Sequence, residues 1–214
     1  MNKDNMLIIL GTAHRMREPG KQSPDKRLKE CVYSREMCKE IAGLLRKEGY
    51  KVEIDYEPLD LPKFMQSSNW KRERNNELSI RVNYVNEACK QHGSSNVMYV
   101  SIHNNAAGAD GKWHDARGWQ VCVGSMASSK SKILADCLYN AADKLDLKMR
   151  KPTVSQKYWT QSLYVLNNTK CPAILTENLF QDNKNDVDYL LSEEGKKTIA
   201  ALHVNGIKDY INKI

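Results

Sequence analysis

The chain has 214 residues, 41% hydrophobic and 28% charged, which is enough for one domain with a full core and short for two. No run approaches the roughly 20 apolar residues of a membrane span, so a membrane-spanning helix is not expected. The net charge of +7 favours anionic partners, but the lysines are scattered and no nucleic-acid module signature is present, so nucleic acid is not the expected one.

Residues 6–12 (M-L-I-I-L-G-T) form a continuous apolar run bounded by glycine, the pattern of a strand covered on both faces, and it ends beside His14. Residues 15–29 hold a glycine, two prolines and many charges and read as a loop. Over residues 30–48 the apolar positions Tyr33, Met37, Ile41, Leu44 and Leu45 recur at helical spacing, with Glu30 in the first turn and Gly49 as the stop. Residues 50–56 alternate like a second strand nearer an edge. Residues 57–74 carry Pro58, Pro62, Trp70 and a basic run and read as a long loop.

A helix is predicted over residues 75–92, with Leu78, Val82, Val85 and Cys89 inward, and a third buried strand over residues 97–103, ending in His103. Residues 104–117 are polar and glycine-rich, and residues 118–124 (G-W-Q-V-C-V-G) read as a strand. A helix over residues 128–145 repeats Leu134, Leu138, Ala141 and Leu145, followed by a polar stretch with Tyr158 and Trp159. A short strand over residues 163–166 precedes P-A-I-L-T-E, a last buried strand closing on Glu177. Two helices over residues 186–191 and 195–214 end the chain. Alternating strands and helices predict a single domain, residues 1–214, of the α/β class: a three-layer αβα sandwich with a mostly parallel central sheet. None of the six cysteines forms a CxxC pair and most lie in apolar patterns, so buried free thiols are expected rather than disulfides.

Three apolar strands thus end in ionisable residues, His14, His103 and Glu177, and in a parallel sheet those ends share one edge. Glu30 begins its helix at that edge as well. Each residue taken singly has a structural reading: a strand-end histidine satisfied by hydrogen bonds, a solvated loop histidine, a first-turn acid favoured by the helix dipole, or a carboxylate paired with a surface lysine. Together, two imidazoles and two carboxylates are the chemistry of a catalytic zinc site, two histidines and one carboxylate as ligands with a further carboxylate as base for bound water.

At these residues the chain resembles the zinc-dependent N-acetylmuramoyl-L-alanine amidases of the amidase_3 type, nearly end to end. The family's first-strand D-P-G-H-G turn is answered by Gly11-Thr12-Ala13-His14, with Ala13 before the histidine and Arg15 in place of the glycine after it. The glutamate opening the next helix is Glu30, and S-I-H-x-N is Ser101-Ile102-His103-Asn104-Asn105. An arginine and an asparagine five apart match Arg81 and Asn86, and a late P-A-x-L-x-E-x-x-F-x-x-N matches Pro172 to Asn183. The resemblance implies one Zn2+ per chain held by His14, Glu30 and His103, with Glu177 handling protons. It also implies cleavage of the amide bond between N-acetylmuramic acid and L-alanine of the peptidoglycan stem peptide.

Two other readings stand beside it, a zinc carboxypeptidase-like peptidase and a non-catalytic cell-wall-binding module. Asn104, Asn105 and Arg117 lie near the expected site but are set aside as loop-stabilising groups. His114 is kept as an alternative ligand or substrate contact, and His92 and His203 read as surface or satisfied helical histidines. Trp70, Trp113, Tyr158 and Trp159 fall in loops, where they either anchor the loop or stack on sugar rings. Peptidoglycan is the expected partner, with neither nucleic acid nor membrane, and a monomer is expected. The run at residues 6–10 is too short for a signal-peptide core, so export by other means, as for a phage endolysin, is expected.

Overall fold

The computed structural model describes residues 5–214. Six strands form one sheet in the order β2-β1-β3-β6-β4-β5, with β1 at Leu7–Thr12, β2 at Lys51–Ile54, β3 at Val97–Asn105, β4 at Gln120–Gly124, β5 at Trp159–Gln161 and β6 at Ala173–Phe180. The neighbours β2, β1, β3 and β6 are mutually parallel. β4 runs antiparallel to β6 and parallel to β5, so the sheet is mixed at one side.

Side chains alternate between the two faces of each strand, and the core divides accordingly. Ile8, Leu10, Met98, Val100, Ile102, Val121 and Ile174 face a large apolar layer with α1 (Glu30–Lys47), α3 (Ser129–Asp143), α5 (Lys184–Leu191) and α6 (Glu193–Lys213). Leu7, Ile9, Val97, Tyr99, Ala173 and Leu175 face a smaller one with α2 (Trp70–His92) and α4 (Tyr164–Asn168). This is the predicted three-layer α/β arrangement. All six cysteines are free and buried. Among the described residues no helix is long and apolar enough to cross a membrane.

Three of the predicted elements differ most from those observed. The long loop after β2 is shorter than its composition implied, because Asn69 Oδ1 accepts the Lys71 and Arg72 amides (3.1 and 3.2 Å) and starts α2 at Trp70, five residues early. The strand predicted over residues 163–166 is helical: the Leu163 carbonyl accepts the amides of Leu166 and Asn167 (3.1 and 2.9 Å), and the strand pairing falls instead on Trp159–Gln161. β6 continues past Glu177 to Phe180, through an irregularity in the β3–β6 register at which Leu179 takes a left-handed φ of 62°.

The register places the chemistry. His103 pairs with Glu177 across β3 and β6, and Ser101 with Leu175, so Ser101, His103 and Glu177 all point to the α2 side of the sheet at its carboxyl edge. Thr176 and Asn178 point to the other side. There the Thr176 hydroxyl meets His203 Nε2 of α6 at 2.9 Å, and His203 Nδ1 meets the Ile199 carbonyl at 2.7 Å. His203 is therefore the satisfied helical histidine of the two, fully buried, while His92 is exposed.

Candidate metal centre

β1 delivers His14 through a turn held in an unfavourable shape. His14 has a left-handed φ of 47°, uncommon for a residue with a side chain, and the surroundings over-determine it. Arg35 donates to the carbonyls of Ala13 and His14 (2.8 and 3.0 Å), Arg81 Nη2 donates to the His14 carbonyl (3.3 Å), and the Ala13 amide donates to Ser34 Oγ (2.8 Å). Arg81 also reaches Thr12 Oγ1 (2.6 Å), Asp55 Oδ1 (3.0 Å) and Glu77 Oε1 (3.0 Å). Gly11 completes the arrangement. A side chain there would overlap the Tyr99 hydroxyl, which donates to Asp55 Oδ2 (2.8 Å).

Glu30, 1% exposed, stands at the first residue of α1, and its amide is bound by the Lys21 carbonyl (3.0 Å). Its Oε1 accepts the Asn104 amide (3.1 Å) and lies 3.3 Å from His14 Nε2 and 3.1 Å from His103 Nδ1. The two imidazoles meet edge to face, with ring centroids 5.0 Å apart. Ligand atoms of His14, Glu30 and His103 all lie within 4.8 Å of one another. The three residues proposed from sequence are thus brought together, from the end of one strand, the start of a helix and the end of a second strand.

Their charges are strongly coupled. Burial would raise Glu30, yet the two imidazoles hold it well below the usual carboxylate range. Burial works against charge on His14, but the carboxylates of Glu30 and Glu18 outweigh it and carry His14 to about 9. His103 is lowered by burial despite Glu30. Glu177 lies in the same cavity, about 310 Å3, with Lys21, Arg74, Leu163 and Tyr164 on its other walls. Burial first, and then the Glu30 charge, push Glu177 up to about 8.

Two carboxylate oxygens here, Glu30 Oε2 and Glu177 Oε2, are buried with no hydrogen-bond partner among the described residues. Buried acceptors left so are costly; among the described residues the only ion pair of Glu30 Oε2 is with Lys21 Nζ at 3.9 Å, and a cation bound by this carboxylate together with the two imidazoles beside Oε1 would offset that cost. Two nitrogens and one oxygen with an open side toward a cavity is the donor set of a catalytic zinc site, so these residues fit that ion. A second convergence, His14, Glu18 and Glu77, is of a different kind. The Arg15 guanidinium already bridges its two carboxylates at 3.0 Å each, so a positive charge is in place there.

The chain matches Amidase_3, described as N-acetylmuramoyl-L-alanine amidase, over residues 8–209. It belongs to that family.

Among curated relatives of this amidase chain, the Endolysin of Bacillus phage SPP1 is 30% identical over 128 residues, 60% of this chain and 45% of that protein. N-acetylmuramoyl-L-alanine amidase CwlM of Bacillus licheniformis is 32% identical over 114 residues, 53% and 40% of the two chains. The chain spans under half the length of these two relatives. Solved structures share the fold. The CwlD amidase from Clostridioides difficile, in complex with the GerS lipoprotein, superposes with a TM-score of 0.80 at 22% identity over 98% of this chain and 100% of that one. Ami1, the N-acetylmuramyl-L-alanine amidase from Mycobacterium smegmatis, gives 0.74 at 16% identity over 100% of both.

Other residues singled out from sequence take supporting places. Asn104 is buried, donating its side chain to the Asn178 carbonyl (2.7 Å), and Asn105 Oδ1 caps the Ala106 amide (2.9 Å). Arg117 pairs with Asp186 (3.1 Å). His114 pairs with Asp110 (2.9 Å) and joins neither ligand group. Asn86 ties α2 to the segment before β6, donating to the Asn168 carbonyl and accepting the Lys170 amide, both at 2.9 Å. Of the four aromatics, Trp70 opens α2 and stays half-exposed, Trp113 lies in the loop, and Tyr158 and Trp159 pack against the two core layers.

Sequence reasoning missed Asn178. Its Nδ2 donates to the His103 carbonyl (3.0 Å) and its Oδ1 accepts from the indole of fully buried Trp119 (2.8 Å), so it fixes the strand carrying His103 from behind. The available signal was an asparagine beside Glu177 in an apolar strand. It also missed Glu18, Glu73, Glu77 and Asp55, the buried acids that hold Arg15 and Arg81.

Proposed function

We propose that this protein is a zinc-dependent N-acetylmuramoyl-L-alanine amidase, acting as a single catalytic domain and as a monomer on peptidoglycan during wall lysis. The carrying observation is the convergence of His14, Glu30 and His103 beside Glu177 at one edge of the sheet, in a chain of the amidase family. When bound by His14, Glu30 and His103, zinc supplies a Lewis acid for the amide carbonyl and lowers the pKa of a water to about 7.

The chain's own residues do the rest. Glu177, on the floor of the cavity, takes the proton of the attacking water at its free carboxylate oxygen and returns it to the departing amine, which otherwise leaves poorly. Its raised pKa suits both halves of that exchange near neutral pH. Lys21 and Arg74 on the cavity walls attract the carboxylates of a stem peptide, and Leu163 and Tyr164 provide apolar surface for the sugar side.

Incubation of the purified protein with cell walls tests this reading. New L-alanine amino termini are expected to appear and to vanish with chelator or in Glu177→Ala, with a fall in rate of at least about 100-fold. Reducing sugar ends alone, amino acids released from plain peptides, or wall binding without any cleavage would each overturn it.

A further inference from the structure

The turn after β1 carries an arginine where the family pattern has a glycine, and that arginine points inward. Arg15 is 2% exposed, a depth at which a guanidinium requires anionic partners. Its Nη1 donates to Glu18 Oε2 and to Glu77 Oε2, both at 3.0 Å, and its Nε lies 3.6 Å from Glu73 Oε1. Glu77 is gripped in turn by Arg81 at 3.0 Å. Glu18 is therefore held in place, although it sits in a loop. The oxygen that receives Arg15 also stands 3.1 Å from His14 Nδ1, the ring edge turned away from Glu30.

A neutral imidazole has one N–H and one lone pair, and only the nitrogen with the lone pair can bind a cation. We propose that Glu18, clamped by Arg15, is a positioning residue that accepts His14 Nδ1–H and thereby presents the Nε2 lone pair to the metal centre. This rests on the His14, Glu30 and His103 centre proposed above. Ser101 plays the matching part for His103 with the ring edges exchanged: its hydroxyl lies 3.1 Å from Nε2, leaving Nδ1 toward Glu30. The two imidazoles thus reach Glu30 through different nitrogens, each with its far nitrogen engaged. A carboxylate on the far nitrogen also makes the ligating one more basic. Glycine after His14 would provide no such clamp, so the Arg15–Glu18 device belongs to this chain's own turn.

Competition with a chelating dye measures the Zn2+ dissociation constants of the wild type, Glu18→Ala, Glu18→Gln, Arg15→Ala and His14→Ala, and 15N chemical shifts of the Zn2+-loaded proteins report the His14 tautomer. Glu18→Ala is expected to bind Zn2+ about 10–100-fold more weakly, with loss of the fixed Nδ1–H form. Arg15→Ala should weaken binding less, and the double variant with Glu18→Ala should be no worse than Glu18→Ala alone, because Arg15 acts through Glu18. Should Glu18→Ala not fold, Glu18→Gln, which keeps the size and loses the charge, decides by the same two readouts. Zn2+ affinity within about twofold of wild type, with an unchanged tautomer, overturns the role of Glu18 and leaves the centre standing. A wild type that binds Zn2+ no better than His14→Ala overturns the centre and this role with it.

Discussion

His203 shows what one buried titratable side chain does to the whole. It lies on the other face of the sheet from Glu177, fully buried between α6 and β6, and burial lowers it to about 4. In the unfolded chain it titrates at its ordinary value of 6.5, so between about 6.5 and about 4 the unfolded state binds the extra proton. Stability is therefore intact above 6.5 and is lost as pH falls through that window. The share belonging to His203 is on the order of 2 kcal/mol by about pH 5. Urea unfolding of His203→Gln against wild type at about pH 7.5 and about pH 5 checks this: the variant should lose less stability on acidification by roughly that amount. Equal losses in both proteins would show that His203 takes up its proton without unfolding.

Among the helices, two glycines make opposite predictions from one substitution. Gly206 of α6 packs directly on α3, where an added Cβ would lie 2.8 Å from both Leu138 Cα and Leu138 Cδ1. Backbone cannot give way as a side-chain tip can, so Gly206→Ala pushes the two helices apart at a cost of about 1–3 kcal/mol, more than the roughly 1 kcal/mol gained in helix propensity. Gly43 of α1 has nothing within 4 Å of its added Cβ, and Gly43→Ala should stabilise by about 0.5–1 kcal/mol. Thermal unfolding of the two variants should move in opposite directions, and a shift of the same sign in both would refute the packing argument. The same contrast explains what the sequence made legible. Strands such as Leu7–Thr12 and Val97–Asn105 stood out because burial on both faces leaves an unbroken apolar run, and their terminal histidines stood out against it. α2 was cut short because its first turn, W-K-R-E-R, has the composition of a solvated loop, while the Asn69 cap that starts it is a hydrogen bond invisible in apolar periodicity. Arg15, Glu73 and Glu77 carry no pairing signal in the sequence, since their partners lie far away in the chain, as Glu77 does from Arg15 at a separation of 62. The candidate metal centre was legible as single residues at or near strand ends, and the buried salt-bridged frame beneath it was not.

Taken whole, the molecule is a sheet with unequal faces, and the edge that carries the candidate site concentrates buried charge. Glu30 and Glu177 both lie in that edge with a carboxylate oxygen that accepts no hydrogen bond, and the Glu30 charge, after burial, is one of the forces that raise the Glu177 pKa. A cation at His14, Glu30 and His103 joins the turn after β1, the start of α1 and the end of β3, and these three elements pack into the same core layer. Loading should therefore raise the unfolding free energy of the entire domain, by about 2.7 kcal/mol when free Zn2+ is 100-fold above its dissociation constant. For a domain of this size that corresponds to a rise in Tm of about 5–10 °C. Calorimetry with Zn2+ and with chelator is expected to show one transition in each case, displaced by that amount, and no displacement in His14→Ala. If Zn2+ leaves the Tm unchanged and slows amide exchange only in residues 15–29, the ion orders a loop, and the coupling of the centre to the core argued from its three elements is wrong.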